Sequence, residues 1–296
     1  MLIARGCTSL GQGRLRFVLA LAARIRATVV SREGMVLDTR FAPATEGANP
    51  GVCLYLLLRG TWQVLEPVPG PRFDGPCAFV LTEEHLDGAD GSHSVHYRAA
   101  GSPCELIEIH LAAADLAYAS TVDPLPVEID ASSWRAARCA IERMDSDDAT
   151  LSEALGALYA SLATAGLIET AAVDGARRPL PAPFPQLWRA LRPMVERLYL
   201  NPTLQEVSAA TGISSRQVDR HIKYFVTAFG LFGDGWRPAT RHLRLKLALL
   251  LLSVDGASIA EVARVVGYGG TVAMARAFRD AKLLPPGEIQ AKLRAK

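Results

Sequence analysis

Lysine is missing from most of this chain, because the first lysine in the 296-residue sequence is Lys223. Charge is also divided unevenly. Residues 1–184 carry 22 Asp and Glu against 15 Lys and Arg, whereas residues 185–296 carry 8 against 17. A basic region joined to an acidic one is typical of a protein in which one domain meets phosphate. A basic surface that is merely solvated is the alternative. The length favours two domains.

Cysteine is scarce too, with five residues and no C-x-x-C pair. An odd number without paired spacing argues against a disulfide framework or a structural zinc site. It favours buried thiols in a reducing cytoplasm. A thiol redox sensor is the alternative, because reactivity depends on the local pKa of the thiol. We therefore expect a cytoplasmic protein that needs no metal or other cofactor.

Long hydrophobic runs are missing as well. The run at residues 17–23, FVLALAA, is too short to span a bilayer, so no membrane partner is expected. Arg24 and Arg26 follow directly and argue against the alternative of a secretory signal peptide. Residues 1–27 contain five arginines and no acid. We predict that they form a basic extension, amphipathic or disordered, or result from an upstream start codon.

Short strands are predicted between residues 28 and 111, where apolar segments alternate with glycine and proline. Residues 52–58, VCLYLLL, form a continuous apolar run, as a buried strand would, and residues 61–65, TWQVL, alternate. At least six such strands predict a small barrel or sandwich. The interior of a barrel can hold one small molecule.

Aromatic and histidine side chains of these strands are candidates for lining an effector pocket. They are Tyr55, Trp62, Phe79, His93, His96 and Tyr97. Filling the protein core is the alternative role for each of them. A metal-dependent enzyme is a further alternative, because four side chains here belong to metal-binding types: His93, His96, Glu108 and His110.

Helices are predicted beyond Pro126. One covers residues 134–144, and a second opens at the capping box TLSE, residues 150–153, and ends near residue 165. Leucines recur on one face of the second helix, at Leu151, Leu155, Leu158 and Leu162. This stripe either packs on its own barrel or pairs with a second copy, which would give a homodimer through residues 150–165.

The segment 203–225 has the pattern of a helix-turn-helix unit. The capping boxes TLQE (203–206) and SSRQ (214–217) start its two helices, and Gly212 lies at the sharp turn between them. The second helix keeps polar and basic side chains on its outer face, as a DNA-reading helix does. A lone match is weak evidence, because many helical hairpins share the pattern.

A second unit follows over residues 258–282. It begins with the capping box SIAE, turns at Gly267, and continues with a helix over residues 271–282. Residues 241–252 predict a helix long enough to hold the two units at a fixed separation. Two units in succession indicate DNA binding more strongly than one.

Two units in this order resemble the DNA-binding domain of the AraC/XylS family of bacterial transcription regulators. The resemblance covers residues 186–296, with matches at Arg244-Leu245-x-x-Ala248, Ser258-Ile259-x-Glu261-Val262-Ala263-x-x-x-Gly267-Tyr268, Phe278-Arg279 and Pro285-Pro286. It implies a sequence-specific regulator, more often an activator, that binds double-stranded DNA and RNA polymerase. This chain departs from the family at Val272-Ala273-Met274, where S-Y-F is usual, and in its longer loop over residues 230–238.

The stretch LLRGTW at residues 57–62 resembles the cupin-type barrel that precedes this DNA-binding domain in many members. The resemblance implies an α+β chain of two domains. A cupin-like β-barrel with trailing helices would cover residues 28–173 and bind an unknown small-molecule effector. A stiff, proline-rich linker would follow at residues 174–185, and an all-α double helix-turn-helix domain would cover residues 186–296.

Two other functions remain as alternatives. Cupin enzymes usually show H-x-H, whereas this chain has His93-x-x-His96, so we expect no metal site and no enzymatic activity. A protein-interaction adaptor that no longer reads DNA is the other alternative, because the usual S-Y-F residues are absent.

The family pattern assigns DNA contacts to the second helix of each unit. In the first unit the residues are Ser214, Ser215, Arg216, Asp219, Arg220 and Lys223. In the second unit they are Gly270, Thr271, Val272, Ala275, Arg276 and Arg279. We expect the first unit to supply most base discrimination, because small apolar groups meet little besides thymine methyls. Lys223, Arg237, Arg241 and Arg279 are assigned to phosphates.

Overall fold

The computed structural model describes residues 1–43, 51–66, 70–82, 96–117, 124–200, 203–229, 231 and 235–295. Within these residues nine strands form one antiparallel sheet. They are Leu2–Leu10 (β1), Gly13–Ala22 (β2), Ile25–Glu33 (β3), Leu37–Asp38 (β4), Gly51–Glu66 (β5), Arg72–Asp74 (β6), Cys77–Thr82 (β7), His96–Ala112 (β8) and Leu125–Val127 (β9). The sheet order is β1-β2-β3-β8-β5-β7-β9, with β4 paired to β8 and β6 to β5.

The sheet is open, which corrects the prediction of a closed barrel. Among the described strands, β1 at one end pairs with β2 alone. Its free edge is covered by a helix at Pro183–Glu196 (α4). The indole Nε1 of Trp188 donates to the Ile3 carbonyl at 3.2 Å, and the Arg5 amide donates to Glu196 Oε1 at 3.3 Å. Side chains of α4 thus replace the strand that would close a barrel.

The predicted extension over residues 1–27 is wrong, because these residues form β1, β2 and the start of β3. Two-residue turns join the three strands, with Gly11 and Arg24 at positive φ. In β2 both faces are covered: Val18 belongs to one hydrophobic core and Leu21 to another. A strand buried on both sides reads as a continuous apolar run, so its alternation is hidden.

Three helices cover one face of the sheet: Ala131–Glu142 (α1), Asp148–Thr164 (α2) and Thr170–Arg177 (α3). Asp147 caps α2 by accepting from the Thr150 amide at 2.9 Å, so the helix begins two residues before the predicted capping box. The leucine stripe of α2 is fully buried in a core shared with strands β3, β5 and β8. It packs within the chain, and a homodimer through residues 150–165 therefore cannot use it.

The predicted linker is shorter than its sequence suggested. Helix α3 runs to Arg177 and α4 begins at Pro183, so only residues 178–182 lie outside helices. Pro183 and Pro185 are tolerated there because the first turn of a helix needs no internal N–H donor. The proline-rich composition marked a helix start as well as a connection.

The remaining helices form the two predicted units and their connection. They are Leu204–Thr211 (α5), Ser215–Ala228 (α6), Trp236–Leu252 (α7), Ile259–Val265 (α8), Thr271–Asp280 (α9) and Pro286–Arg294 (α10). The architecture is thus an N-terminal sheet with trailing helices followed by an all-α double helix-turn-helix part. No helix among the described residues has the length and apolar character that crossing a bilayer requires.

Two separate hydrophobic cores join the C-terminal helices to the sheet. Side chains of α4, α5 and α6 pack with Ala4 and Leu21. Side chains of α7 to α10 share a core with Leu15, Met35 and the aromatic residues of β5 and β7. The Val36 amide also donates to Ser253 Oγ at 2.9 Å. Each helix-turn-helix unit therefore packs on the sheet through a separate hydrophobic core.

Candidate nucleic-acid interface

The first unit is built as its sequence predicts. In the first capping box, Thr203 Oγ1 accepts from the Glu206 amide at 3.2 Å, and the Glu206 carboxylate accepts from the Thr203 amide in return. The hydrogen bonds that the Thr203 amide and hydroxyl donate to this carboxylate lower the pKa of Glu206. Gly212 turns the chain with a φ of 71°, a conformation that favours glycine. The signals in this segment are local, and the structure confirms both helices and the turn.

Helix α6 separates a buried face from an exposed one. Val218, Ile222 and Phe225 are buried against α4 and α5. Arg216 and Arg220 are exposed, and within the described residues neither lies within ion-pair distance of a carboxylate. Their guanidinium groups are thus available to bind bases or phosphates.

Two predicted contact residues of α6 engage each other instead. Lys223 Nζ lies 3.4 Å from Asp219 Oδ2, one helical turn apart. Asp219 is only half exposed, and its side chain neutralises the lysine that was assigned to phosphate. The Ser214 hydroxyl is also engaged within the chain, because it accepts from the Gln217 amide and caps α6. Ser215, the first residue of the helix, is half-buried.

The second unit has a different outer face. Its capping box is formed, with Ser258 Oγ accepting from the Glu261 amide at 3.2 Å, and Gly267 turns with a φ of 79°. Met274 and Phe278 anchor α9 in the core. The predicted contact residues at its outer face are exposed, apart from a half-buried Gly270: Thr271, Val272, Ala275, Arg276 and Arg279.

Val272 is the most exposed large apolar side chain of the described chain, at 75 %. An apolar group held out from the start of α9 suits the methyl group of thymine. The same helix carries Arg276 and Arg279, which have no carboxylate partner among the described residues. The second unit therefore combines charge with apolar contact.

Arg244, the arginine of the R-L-x-x-A segment on the connecting helix α7, is buried. Arg244 is 8 % exposed, and burial lowers its pKa, while its charge acts on the Tyr268 hydroxyl of the second unit. Burial also raises the pKa of Tyr268. The R-L-x-x-A segment of α7 and the Gly267-Tyr268 segment of the second unit are thus packed together. Arg237 and Arg241, the predicted phosphate contacts of α7, are exposed.

The predicted effector pocket is filled by its own side chains. The rings of Tyr55, Trp62, Phe79 and Tyr97 are buried and packed together. Ring centroids are 4.9 Å apart for Tyr55 and Phe79, 4.6 Å for Trp62 and Phe79, and 4.7 Å for Trp62 and Tyr97. His96 is half-buried, and His93 lies outside the described residues. A ligand at this position would require the rings to move, so the pocket stays a prediction.

Open space lies elsewhere in the described chain. A cleft of about 510 Å³ is lined by residues of two regions: Arg40 and Phe41 after β4, and Leu284, Lys292 and Ala295 near α10. The cleft therefore lies between the N-terminal part and the C-terminal segment around α10. Nothing in the sequence pattern pointed to it, because its walls are distant along the chain.

A polar cluster lies on the face of the sheet that packs against α7. His110 Nε2 is 3.8 Å from Glu108 Oε2 and 3.7 Å from Cys53 Sγ. Burial raises the pKa of Glu108, but the nearby His110 and the charges of Lys246 and Arg26 outweigh it and lower that pKa to about 2. Among the described residues no group of His, Cys, Asp and Glu has the geometry of a metal site. The Glu108 carboxylate is thus ionised at neutral pH, and Lys246 of α7 is one of the cations that stabilise it.

Sequence reasoning missed two exposed residues on α6, Gln217 and Tyr224. Tyr224 is 56 % exposed and stacks on Phe184, with ring centroids 5.0 Å apart. It follows Arg220 by four residues, so helical spacing alone could have placed it on the same face. Gln217 was recognised only as a cap.

An ion-pair network that connects β1, α2 and α4 was also not predicted from the sequence. Asp148 at the start of α2 accepts from Arg5 of β1 and from Arg192 of α4, the latter at 2.7 Å. Arg192 Nε also lies 2.7 Å from Glu196 Oε1. Contacts this distant along the chain leave no local sequence signal.

Comparisons with known proteins give matches in structure only. No protein-family model matches the chain, and no curated protein matches its sequence. A structure of ToxT from Vibrio cholerae covers 90 % of this chain and 98 % of its own, with 7 % identity and a TM-score of 0.38. The AraC-like transcriptional activator CuxR covers 82 % of this chain and 85 % of its own, with 13 % identity and a TM-score of 0.31.

The N-terminal part has a separate match. A cupin superfamily protein from Desulfitobacterium hafniense covers 36 % of this chain and 82 % of its own, at 14 % identity and a TM-score of 0.24. Because each TM-score is below 0.5, no functional conclusion rests on these likenesses. The function of this chain is therefore argued from its own residues.

Proposed function

We propose that this chain is a sequence-specific DNA-binding transcription regulator. One observation carries the proposal: both helix-turn-helix units expose arginines that no carboxylate within the described residues neutralises. Arg216 and Arg220 lie on α6, and Arg276 and Arg279 on α9. Uncompensated cations on the outer face of a reading helix suit a polyanion.

Affinity would come chiefly from phosphate contacts. Arg237 and Arg241 on α7 and Arg279 on α9 are exposed and suited to that role. Each phosphate that they neutralise releases counterions, so binding would weaken steeply with salt. Lys223 would contribute less, because Asp219 already pairs with it.

Sequence preference would come mainly from the first unit. Arg216 and Arg220 can each hold a guanine through two hydrogen bonds, whereas Val272 and Ala275 of the second unit offer only apolar contact with thymine methyls. Two such helices would read two short blocks about one helical turn of DNA apart. A target with one guanine-containing block and one thymine-containing block is therefore expected.

We further propose that the N-terminal part senses a small molecule and that the regulator acts as an activator through RNA polymerase. Support for sensing is the way both units rest on the sheet, since a ligand that changed that packing would change DNA binding. Such a ligand must bind the two states differently. The activator role follows only from the family resemblance.

Selection from random duplex DNA by the purified chain at two salt concentrations tests the proposal. Enrichment of a site with two short blocks, and weaker binding at higher salt, is the expected result. Binding by the full chain without sequence preference at either salt concentration would contradict it. That outcome would favour a protein-interaction adaptor that carries helix-turn-helix units without reading DNA.

A further inference from the structure

The three capping boxes of the helix-turn-helix units do not all use the same residue type at their third helical position. Helices α5 and α8, the first helix of each unit, are capped with glutamates, Glu206 and Glu261. Helix α6, the reading helix of the first unit, has Gln217 at the equivalent position. A carboxylate would cap α6 equally well, so capping does not explain the amide.

The hydrogen bonds of Gln217 fix which end of its amide is free. The Ser214 amide donates to Gln217 Oε1 at 3.2 Å, and Ser214 Oγ donates to the same oxygen at 2.9 Å. A backbone N–H can only donate, so the atom that it meets must be the amide oxygen. The Nε2 group, with its two N–H donors, points away from the box and has no partner within the described chain.

The position of Gln217 on α6 places this amide on the exposed face. Successive helical residues are about 100° apart, so Gln217 lies about 60° from Arg220 around the axis and Asp219 about 100°. Gln217 is exposed, whereas Asp219 is half-buried and paired with Lys223. Gln217 is therefore better placed beside Arg220 than Asp219, which the sequence pattern had favoured.

We propose that Gln217 is a specificity-determining residue of the first unit. This inference rests on the proposed DNA-binding function. An amide with a free oxygen and a free nitrogen binds adenine through N6 and N7. With its oxygen held by Ser214, Gln217 can only donate. It selects a base that offers acceptors in the major groove, guanine through N7 and O6 before thymine through O4, and it disfavours cytosine.

Selection from random duplexes by wild type and Gln217→Glu tests this inference. The substitution keeps the capping box, as Glu206 and Glu261 show, but replaces two donors with an acceptor. At one base position we expect the preference for guanine or thymine to fall roughly five- to a hundredfold and to move towards cytosine, whose N4 donates. The other positions should keep their preferences.

Gln205→Glu is the matched control, because it makes the same exchange at an exposed residue of α5 in the same unit. It should leave every base preference unchanged. Gln217→Met separates donor loss from added charge, and should abolish the preference at that position without favouring cytosine. Thermal unfolding of each variant shows whether it is folded.

An equal loss of affinity on all duplexes in Gln217→Glu, matched by Gln205→Glu, would overturn the inference and leave DNA binding intact. A wild type that selects no site would contradict the proposed function itself. The two failures are therefore distinguishable within one experiment.

Discussion

Arginines in the two parts of this molecule have different surroundings. Seven arginines of the N-terminal part and its helices pair with carboxylates: Arg5 with Asp148, Arg16 with Asp145, Arg24 with Asp115, Arg40 with Asp38, Arg59 with Glu105, Arg72 with Asp74 and Arg177 with Asp174. In the two helix-turn-helix units and the connecting helix α7, six exposed arginines have no such partner among the described residues: Arg216, Arg220, Arg237, Arg241, Arg276 and Arg279.

The difference separates a structural use of arginine from a binding use. A paired arginine satisfies a carboxylate of its own chain, and its loss should affect folding. An exposed arginine without a partner adds little to stability but leaves its full charge for a ligand. The same residue type should therefore give opposite results in stability and DNA-binding measurements.

Arg24→Met should have the largest effect on stability. Asp115 is 1 % exposed, and Arg24 Nε donates to its Oδ2 at 3.0 Å. Loss of the guanidinium leaves a buried carboxylate without a partner, which costs about 3–5 kcal/mol of unfolding free energy. Urea unfolding measures this loss, with Arg237→Met as the control that should change less than about 0.5 kcal/mol. Equal losses in the two variants would erase the proposed distinction.

Glu108 should make stability depend on acid pH. Its pKa is lowered from 4.5 to about 2, so its contribution is complete above about pH 5 and disappears as pH falls towards 2. The difference in unfolding free energy between wild type and Glu108→Gln should be up to about 3 kcal/mol at pH 7. Unfolding measured at pH 7, 4 and 3 should show this difference shrinking. A constant difference would be incompatible with the lowered pKa.

Arg220→Ala should affect DNA binding and leave stability unchanged. Loss of a bidentate guanine contact should cost about 1–3 kcal/mol of binding free energy and relax the preference at one base pair. Its melting temperature should match that of wild type, because the side chain is exposed and has no carboxylate partner among the described residues. An equal loss of affinity on every duplex would assign Arg220 to phosphate instead.

Asp219→Asn should give the smallest effect and the opposite sign. Lys223 lies 3.4 Å from Asp219 and is released by the substitution, and a negative charge leaves the reading helix. DNA affinity should rise by less than about 1 kcal/mol, more at low salt than at high salt. Titration of a selected duplex at both salts measures the change. Lower affinity would show that Asp219 itself accepts a hydrogen bond from a base.

Local signals made the C-terminal part predictable from sequence. Capping boxes at Thr203, Ser214 and Ser258 act within four residues, and Gly212 and Gly267 are needed at positive φ wherever the rest of the chain lies. These features need no knowledge of tertiary contacts. The candidate reading faces followed from helical spacing, although the Asp219–Lys223 pair and the outward amide of Gln217 did not.

The N-terminal part was less predictable because its decisive contacts are distant in sequence. The run at residues 17–23 hides a strand that two cores cover, and the free edge of β1 is satisfied by Trp188 and Glu196 of α4. The leucine stripe of α2 would look the same whether it met its own sheet or a second chain. Only the fold shows that it meets the sheet.

The salt dependence of binding to a selected duplex tests the central claim most directly. Wild type should lose affinity linearly in log–log form, and Arg237→Ala should reduce the slope by about 1. The Arg24→Met variant, measured where it remains folded, should keep the wild-type slope. Binding that ignores salt, or a slope that changes in Arg24→Met and not in Arg237→Ala, would contradict the assignment of exposed arginines to DNA.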